Sequence, residues 1–314
     1  LAVAIALFAV VSPRPAAAAP EQERRVVLVL APYLMWDDIT PTSTPTMWSL
    51  AQDGALGNVN ARSRARQPGE PSSPLEGALT ISAGAWAVPS YSAAAAFTVT
   101  ERYESGTAAE AFERTVGESV GDNRVVYLGM PMSQRVNAER SFEIALGVLG
   151  SAIERAGGAT AAVGNSDVGY ATGEQRRVRP AALAAMNESG TVRFGDVSYR
   201  LLRENPDAPF GIETDPDAFA EALDQVVDDL KRVAGPALVV LDAGDAYRAT
   251  RFEPQVSPVI AQRHREAALR KLDAVVALAV QRFPDDVIMI ASQSTGDPEA
   301  GRLEGLGPLI LHGD

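Results

Sequence analysis

Asp242 and Asp245 stand in "VLDAGDAY", at the end of the apolar run that starts at Ala237, and Asp167 stands in "GNSDVG", just after "TAAVG". Residues directly past a buried strand lie at the carboxyl edge of a sheet, where α/β proteins assemble their sites. A group of carboxylates there suits a hard divalent cation such as Ca²⁺ or Mg²⁺ better than Zn²⁺. The Asp-x-Gly-Asp spacing is also ordinary turn chemistry, so for these three residues a metal-ligand role and a turn role both stay open. Asp37 and Asp38 in "MWDDIT" read as capping or turn groups, and Asp297 is a further carboxylate that can approach the same edge.

The rest of the composition narrows the chemistry. There is no cysteine, which excludes disulfides, thiolate catalysis and Cys-based zinc sites. Only His264 and His312 supply imidazole, so a metal site would rest mainly on carboxylates. His264 lies in the charged helical stretch "QRHREAALRKLD" and reads as a surface residue, whereas His312, after "PLIL", could face a site or solvent. A net charge of −12 repels phosphate backbones, and no Lys/Arg cluster offsets it, so nucleic acid is not an expected partner. Arg176, Arg177 and Arg179 read as a solvated loop patch.

These residues need a scaffold, and the apolar runs specify one. "VVLVL" at Val26, "RVVYLG" at Arg124, "TAAVG" at Thr160, "ALVVLD" at Ala237, "DVIMIAS" at Asp286 and "PLIL" at Pro308 read as strands. Helical patterns separate several of them. In "DPDAFAEALDQVVDDLKRVAG", Asp215 is the N-cap, Pro216 the first helical position, and Phe219, Leu223, Val226 and Leu230 share one face. A longer pattern runs from Val259 to Phe283. The alternation predicts an α/β protein: an α/β/α sandwich with a mainly parallel sheet and helices on both faces. Two irregular zones, 61–92 and 164–209, are large enough to wall a cleft, and the second predicts a small strand pair around "GTVRFGDVSYRL".

The N-terminal "LAVAIALFAVV" is an 11-residue apolar run followed by "SPRPAAAAP", with small residues spaced for cleavage near Ala18. Residues 1–19 therefore read as the remnant of a signal peptide and 20–314 as one domain, exported and either secreted or associated with the cell surface. The run is shorter than the ~20 residues a bilayer span needs.

The opening stretch carries a resemblance. "LVLAPYLMWDDI" followed by "STPTMWSLAQDGALGN" resembles the start of the alkaline phosphatase and sulfatase superfamily: a strand, two metal-binding aspartates, a Trp-Asp-Asp continuation and a "TPnLdrLaeeGv" helix. Here Pro32 and Tyr33 stand at the aspartate positions. "RAGGATAAVGNSDVG" resembles the family's "aGYkTaaiGKWHlG", with Asn165 and Asp167 where the basic substrate contacts would be. "DVIMIASQSTGD" offers Gln293 and Ser294 for the metal-binding Asp and His of "SDHG", and "VLDAGDAY" loosely echoes "DxxGH".

The resemblance spans roughly Arg25 to Leu311 and implies an alkaline-phosphatase-like core that stops before the family's last metal-binding His. It places the nucleophile near Ser73, with Thr80 the other nearby hydroxyl. A two-metal hydrolase holds its cations through several carboxylates and imidazoles, and most of those are replaced here. The leading expectation is a diverged domain that binds or scaffolds at the cell surface. The alternative is a hydrolase of phosphate or sulfate esters, with Asp242, Asp245 and Asp167 holding a divalent cation and Ser73 or Thr80 as nucleophile. A third is a partner subunit of a membrane complex. The binding reading expects Pro32 and Tyr33 to fill the old site. Core packing accounts for most of the aromatics near the cleft segments, Trp36, Trp48 and Trp86 with Tyr33 and Tyr91.

Overall fold

The computed structural model describes residues 25–61, 73–90, 95–140, 143–169, 177–294 and 306–313. The leader segment, Ser72, Arg176 and Asp297 lie outside the described residues.

Seven described strands form the main sheet: β1 (Arg25–Leu30), β2 (Ala55–Asn60), β3 (Ala159–Gly164), β4 (Phe194–Asp196), β5 (Ala237–Asp242), β6 (Val287–Ala291) and β7 (Leu306–His312). Their spatial order is β2-β7-β6-β1-β5-β3-β4. β6, β1, β5, β3 and β4 are mutually parallel, while β7 runs antiparallel to both β6 and β2. Both faces of this parallel core are covered, which is why its strands read as unbroken apolar runs.

On one face lie α1 (Pro45–Asp53), α5 (Pro216–Leu230) and α7 (Pro258–Arg282), over Val27, Val29, Val239 and Leu241. On the other lie α2 (Pro74–Ala83), α3 (Val148–Arg155) and α4 (Pro180–Ala185), over Leu28, Leu30 and Val240. α6 (Asp245–Phe252) follows β5 and packs on α7. The cap read for α5 is present: Asp215 accepts from the backbone N–H groups of Asp217 and Ala218. The start of α1 is closed from a distance by Asp273 of α7, whose carboxylate accepts from the N–H groups of Thr46 and Met47. This is the predicted α/β/α architecture.

Several local expectations are corrected. The segments in "GTVRFGDVSYRL" do not pair with each other. Thr191–Val192 joins Ala96–Thr98 and Val125–Tyr127 in a small antiparallel sheet, and Phe194–Asp196 extends the main sheet as β4. "RVVYLG" thus belongs to the small sheet, whose core of Phe97, Phe112 and Val126 lies under the helix Ala108–Val116. Trp36, Trp48 and Trp86 are not core residues but are 38%, 37% and 53% exposed. His264 is half-buried against Phe252, with ring centroids 5.6 Å apart, rather than solvated. His312 pairs with Ile288 and so lies at the amino end of β6, away from the site edge. Among the described residues no helix is long and apolar enough to cross a membrane.

Candidate functional site at the carboxyl edge

The register brings the ends of four neighbouring strands level: Leu30 lies opposite both Asp242 and Ala291, and Asp242 lies opposite Gly164. The chain beyond each end supplies the polar groups. β3 gives Asn165, Ser166 and Asp167, β5 gives Asp242 to Asp245, β6 gives Ser292 to Ser294, and β1 gives Pro32 and Tyr33.

Each candidate carboxylate is directed at a different protein partner. Asp242 is fully buried; it accepts from Ser166 Oγ at 2.5 Å and from the Gly244 N–H at 3.1 Å. Burial pushes its carboxyl up to about 6, against the lowering effects of the Ser166 hydrogen bond and the nearby Arg248 charge. Asp245 accepts from Lys271 Nζ and the Thr214 N–H, both at 3.3 Å, and its Oδ2 lies 3.2 Å from Arg248 Nη2. Asp167 accepts from the Val178 N–H at 2.6 Å and from Arg179 Nη2 at 3.0 Å.

Arg179 is therefore not part of a solvated loop. Its side chain is fully buried, bonded to Asp167, to both oxygens of Glu101 and to the Ala96 carbonyl. Burial alone would weaken its charge, but the two carboxylates outweigh that and hold the guanidinium above its ordinary range. Among the described residues no three His, Asp or Glu side chains are grouped to hold a metal ion. Asp167, Asp242 and Asp245 do not fit a two-metal centre, because protein donors already occupy them.

The candidate hydroxyls have local roles. Ser73 is the N-cap of α2 and accepts from the Leu75 N–H at 3.3 Å. Thr80, two turns further on, exchanges hydrogen bonds with the backbone of Ala87 at 3.2 and 3.3 Å. α2 itself is pressed onto the edge through Gly77, where a Cβ would sit 1.9 Å from the Gln293 carbonyl oxygen. Gln293 and Ser294 are buried, and the Gln293 amide atoms and Ser294 Oγ have no hydrogen-bond partner among the described residues.

Tyr33 and Pro32 are both buried. The Tyr33 backbone is left-handed, with φ +63°, a conformation a non-glycine residue adopts at a cost of about 1 kcal/mol or more. It is held by its N–H on the Ser294 carbonyl at 2.9 Å and by Arg265, which donates to the Tyr33 carbonyl at 3.3 Å and to Asp38 at 2.5 Å. Asp38 also accepts from the Met35 N–H, the turn role expected for it. Outside this wall, between α6 and α7, is an open cavity of about 470 Å³, with Thr250, Glu253, Gln262 and Arg265 among an otherwise largely apolar lining.

No protein-family model and no curated protein matches the chain. Solved structures do. The C-terminal periplasmic domain of EcEptC from Escherichia coli, in complex with Zn, is 13% identical at a TM-score of 0.42, over 93% of this chain and 73% of that one. The soluble domain of lipooligosaccharide phosphoethanolamine transferase A from Neisseria meningitidis is 10% identical at 0.45, over 95% and 78%. The alkaline phosphatase of the Antarctic bacterium TAB5 is 10% identical at 0.41, over 93% and 91%. An alkaline phosphatase is thus among the solved structures this chain is similar to. Likeness at this level fixes neither activity nor ligand.

Two buried, ion-paired arginines at this edge were not read as such from the sequence. Arg248 carried a usable signal, since it lies three residues after Asp245 on a helical pattern, a spacing at which opposite charges meet. Arg179 carried none, because its partners lie 12 and 78 residues away.

Proposed function

We propose that the chain is an exported alkaline-phosphatase-like domain that binds or scaffolds outside the cytoplasm rather than hydrolysing esters at a two-metal centre. One observation carries this reading: Asp167 and Asp245 are ion-paired to fully buried guanidinium groups, Arg179 and Arg248. Positive charge at the edge is supplied by the chain itself. Pro32 and Tyr33, buried at the end of β1, support the same reading. The cavity between α6 and α7 is the space a small ligand of mixed polarity would enter at this edge, and the leader-like N-terminus agrees with export and with a partner at the cell surface.

A hydrolase using Asp242, Asp245 and Asp167 as ligands and Ser73 or Thr80 as nucleophile needs these groups to turn from their present partners to one point. The test is turnover of aryl phosphate monoesters, phosphate diesters and sulfate esters by the purified domain with Zn²⁺, Mn²⁺ or Ca²⁺ added. The proposal expects no turnover above that of the metal in buffer. Metal-dependent turnover abolished by Asp242→Asn would establish the hydrolase instead.

A further inference from the structure

Arg248 is as buried as any residue in the protein, yet it lies on an eight-residue helix at the sheet's edge. A guanidinium is removed from water only where oxygens replace its hydration. Five do so here. Nη1 donates to the carbonyls of Asn165 at 2.9 Å and Asp167 at 3.3 Å. Nη2 donates to Thr214 Oγ1 at 2.8 Å and the Ala243 carbonyl at 3.3 Å, and it faces Asp245 Oδ2 at 3.2 Å. That Asp245 oxygen is buried and has no other hydrogen-bond partner among the described residues.

These oxygens come from three separate places: the chain after β3, the chain after β5, and Thr214, whose hydroxyl also bonds the Ala243 carbonyl. The backbone is shaped around the cation. Gly244 is left-handed at φ +77°, and a Cβ there would lie 2.2 Å from the Asn165 carbonyl oxygen and 2.9 Å from Arg248 Nη1. Carbonyls, a hydroxyl and a carboxylate gathered around the two terminal nitrogens of one guanidinium are the oxygen types that ligate a hard cation.

We infer that the Arg248 guanidinium is the resident cation of an oxygen-lined cation site, tying the strand ends together as a bound divalent ion would. This deepens the non-metal reading proposed above and rests on it. It follows that the site becomes available to a small hard cation once the guanidinium is removed.

The experiment compares wild type with Arg248→Ala in thermal unfolding, without additive, with millimolar Ca²⁺ and with methylguanidinium. The variant is expected to melt lower than wild type. Either cation should then raise its midpoint by roughly 2–4 °C or more, while the wild-type midpoint stays fixed. If the alanine variant does not fold, Arg248→Gln is measured in the same way, since its amide keeps part of the donor set. A folded variant indifferent to both cations overturns the inference and leaves the non-metal reading standing, as does failure of both variants to fold even with the cations present. A Ca²⁺ response equal in wild type and variant overturns the inference and counts against the non-metal reading as well.

Discussion

Ser166 Oγ donates to Asp242 Oδ2 at 2.5 Å, joining the chain after β3 to the end of β5. The carboxyl is completely buried, and burial raises it from 3.8 to about 6 although the Ser166 bond works in the other direction. The folded state therefore holds the Asp242 proton more tightly than the unfolded chain. Stability from this group is fully present below about pH 4 and is lost as pH rises through about 6. Asp242→Asn keeps a neutral side chain at every pH. Relative to wild type it should gain up to about 3 kcal/mol on going from about pH 4 to pH 7. Urea unfolding of both proteins at the two pH values measures the gain, and a difference that does not change with pH would refute it.

Glu213 should show the opposite sign. Burial pushes its carboxyl up, but hydrogen bonds from Lys271, Asn205 and Arg203 more than offset this and bring it down to about 2 from 4.5. Its contribution is present above about pH 4.5 and is lost as pH falls towards 2. Glu213→Gln should therefore cost stability near neutrality and progressively less in acid. Thermal midpoints near pH 6 and near pH 3 would show the gap narrowing; a constant gap would contradict the ion-paired assignment.

Arg179→Met should be among the most damaging single changes in the molecule. It leaves Asp167, 1% exposed, without its counter-charge and opens one side of Glu101. Breaking a buried pair from one side costs about 3–5 kcal/mol. Adding Asp167→Asn should restore part of the loss. Denaturant unfolding of the two variants decides: a single-variant cost under about 1 kcal/mol would mean that Arg179 is solvated after all.

Gly77→Ala tests how tightly α2 is seated. The added methyl meets the Gln293 carbonyl oxygen at 1.9 Å, which is backbone and cannot swing away. Overpacking of this kind typically costs about 1–3 kcal/mol, against the roughly 0.5–1 kcal/mol that alanine normally gains over glycine in a helix interior. A stabilised variant, by the same unfolding measurement, would show that α2 stands off the edge.

How much of this was legible in the sequence depends on the range of the interaction. β1, β3, β5 and β6 announced themselves because strands buried on both faces are continuously apolar, and α5 did so through the local Asp215-Pro216 cap. Thr191–Val192 and Phe194–Asp196 are too short for their pattern to say which sheet each joins, so they read as a small strand pair. Arginines look solvated in any sequence, and only the fold brings Arg179 to Asp167 and Glu101. The tryptophans misled in the other direction: Trp36 keeps its ring at the surface and spends its Nε1–H on Asn58 of the edge strand β2. That Pro32 and Tyr33, and no acidic pair, follow β1 was readable directly. What occupies the carboxylates instead was not.

The central claim is that this edge supplies its own cations, and metal content tests it most directly. The mature domain would be exposed to Zn²⁺, Ca²⁺ and Mn²⁺, dialysed, and analysed for bound metal per chain. The account predicts no retained ion at a stoichiometric level. One or more tightly held ions per chain, lost in Asp242→Asn or Asp245→Asn, would contradict it and return the carboxyl edge to metal-dependent chemistry.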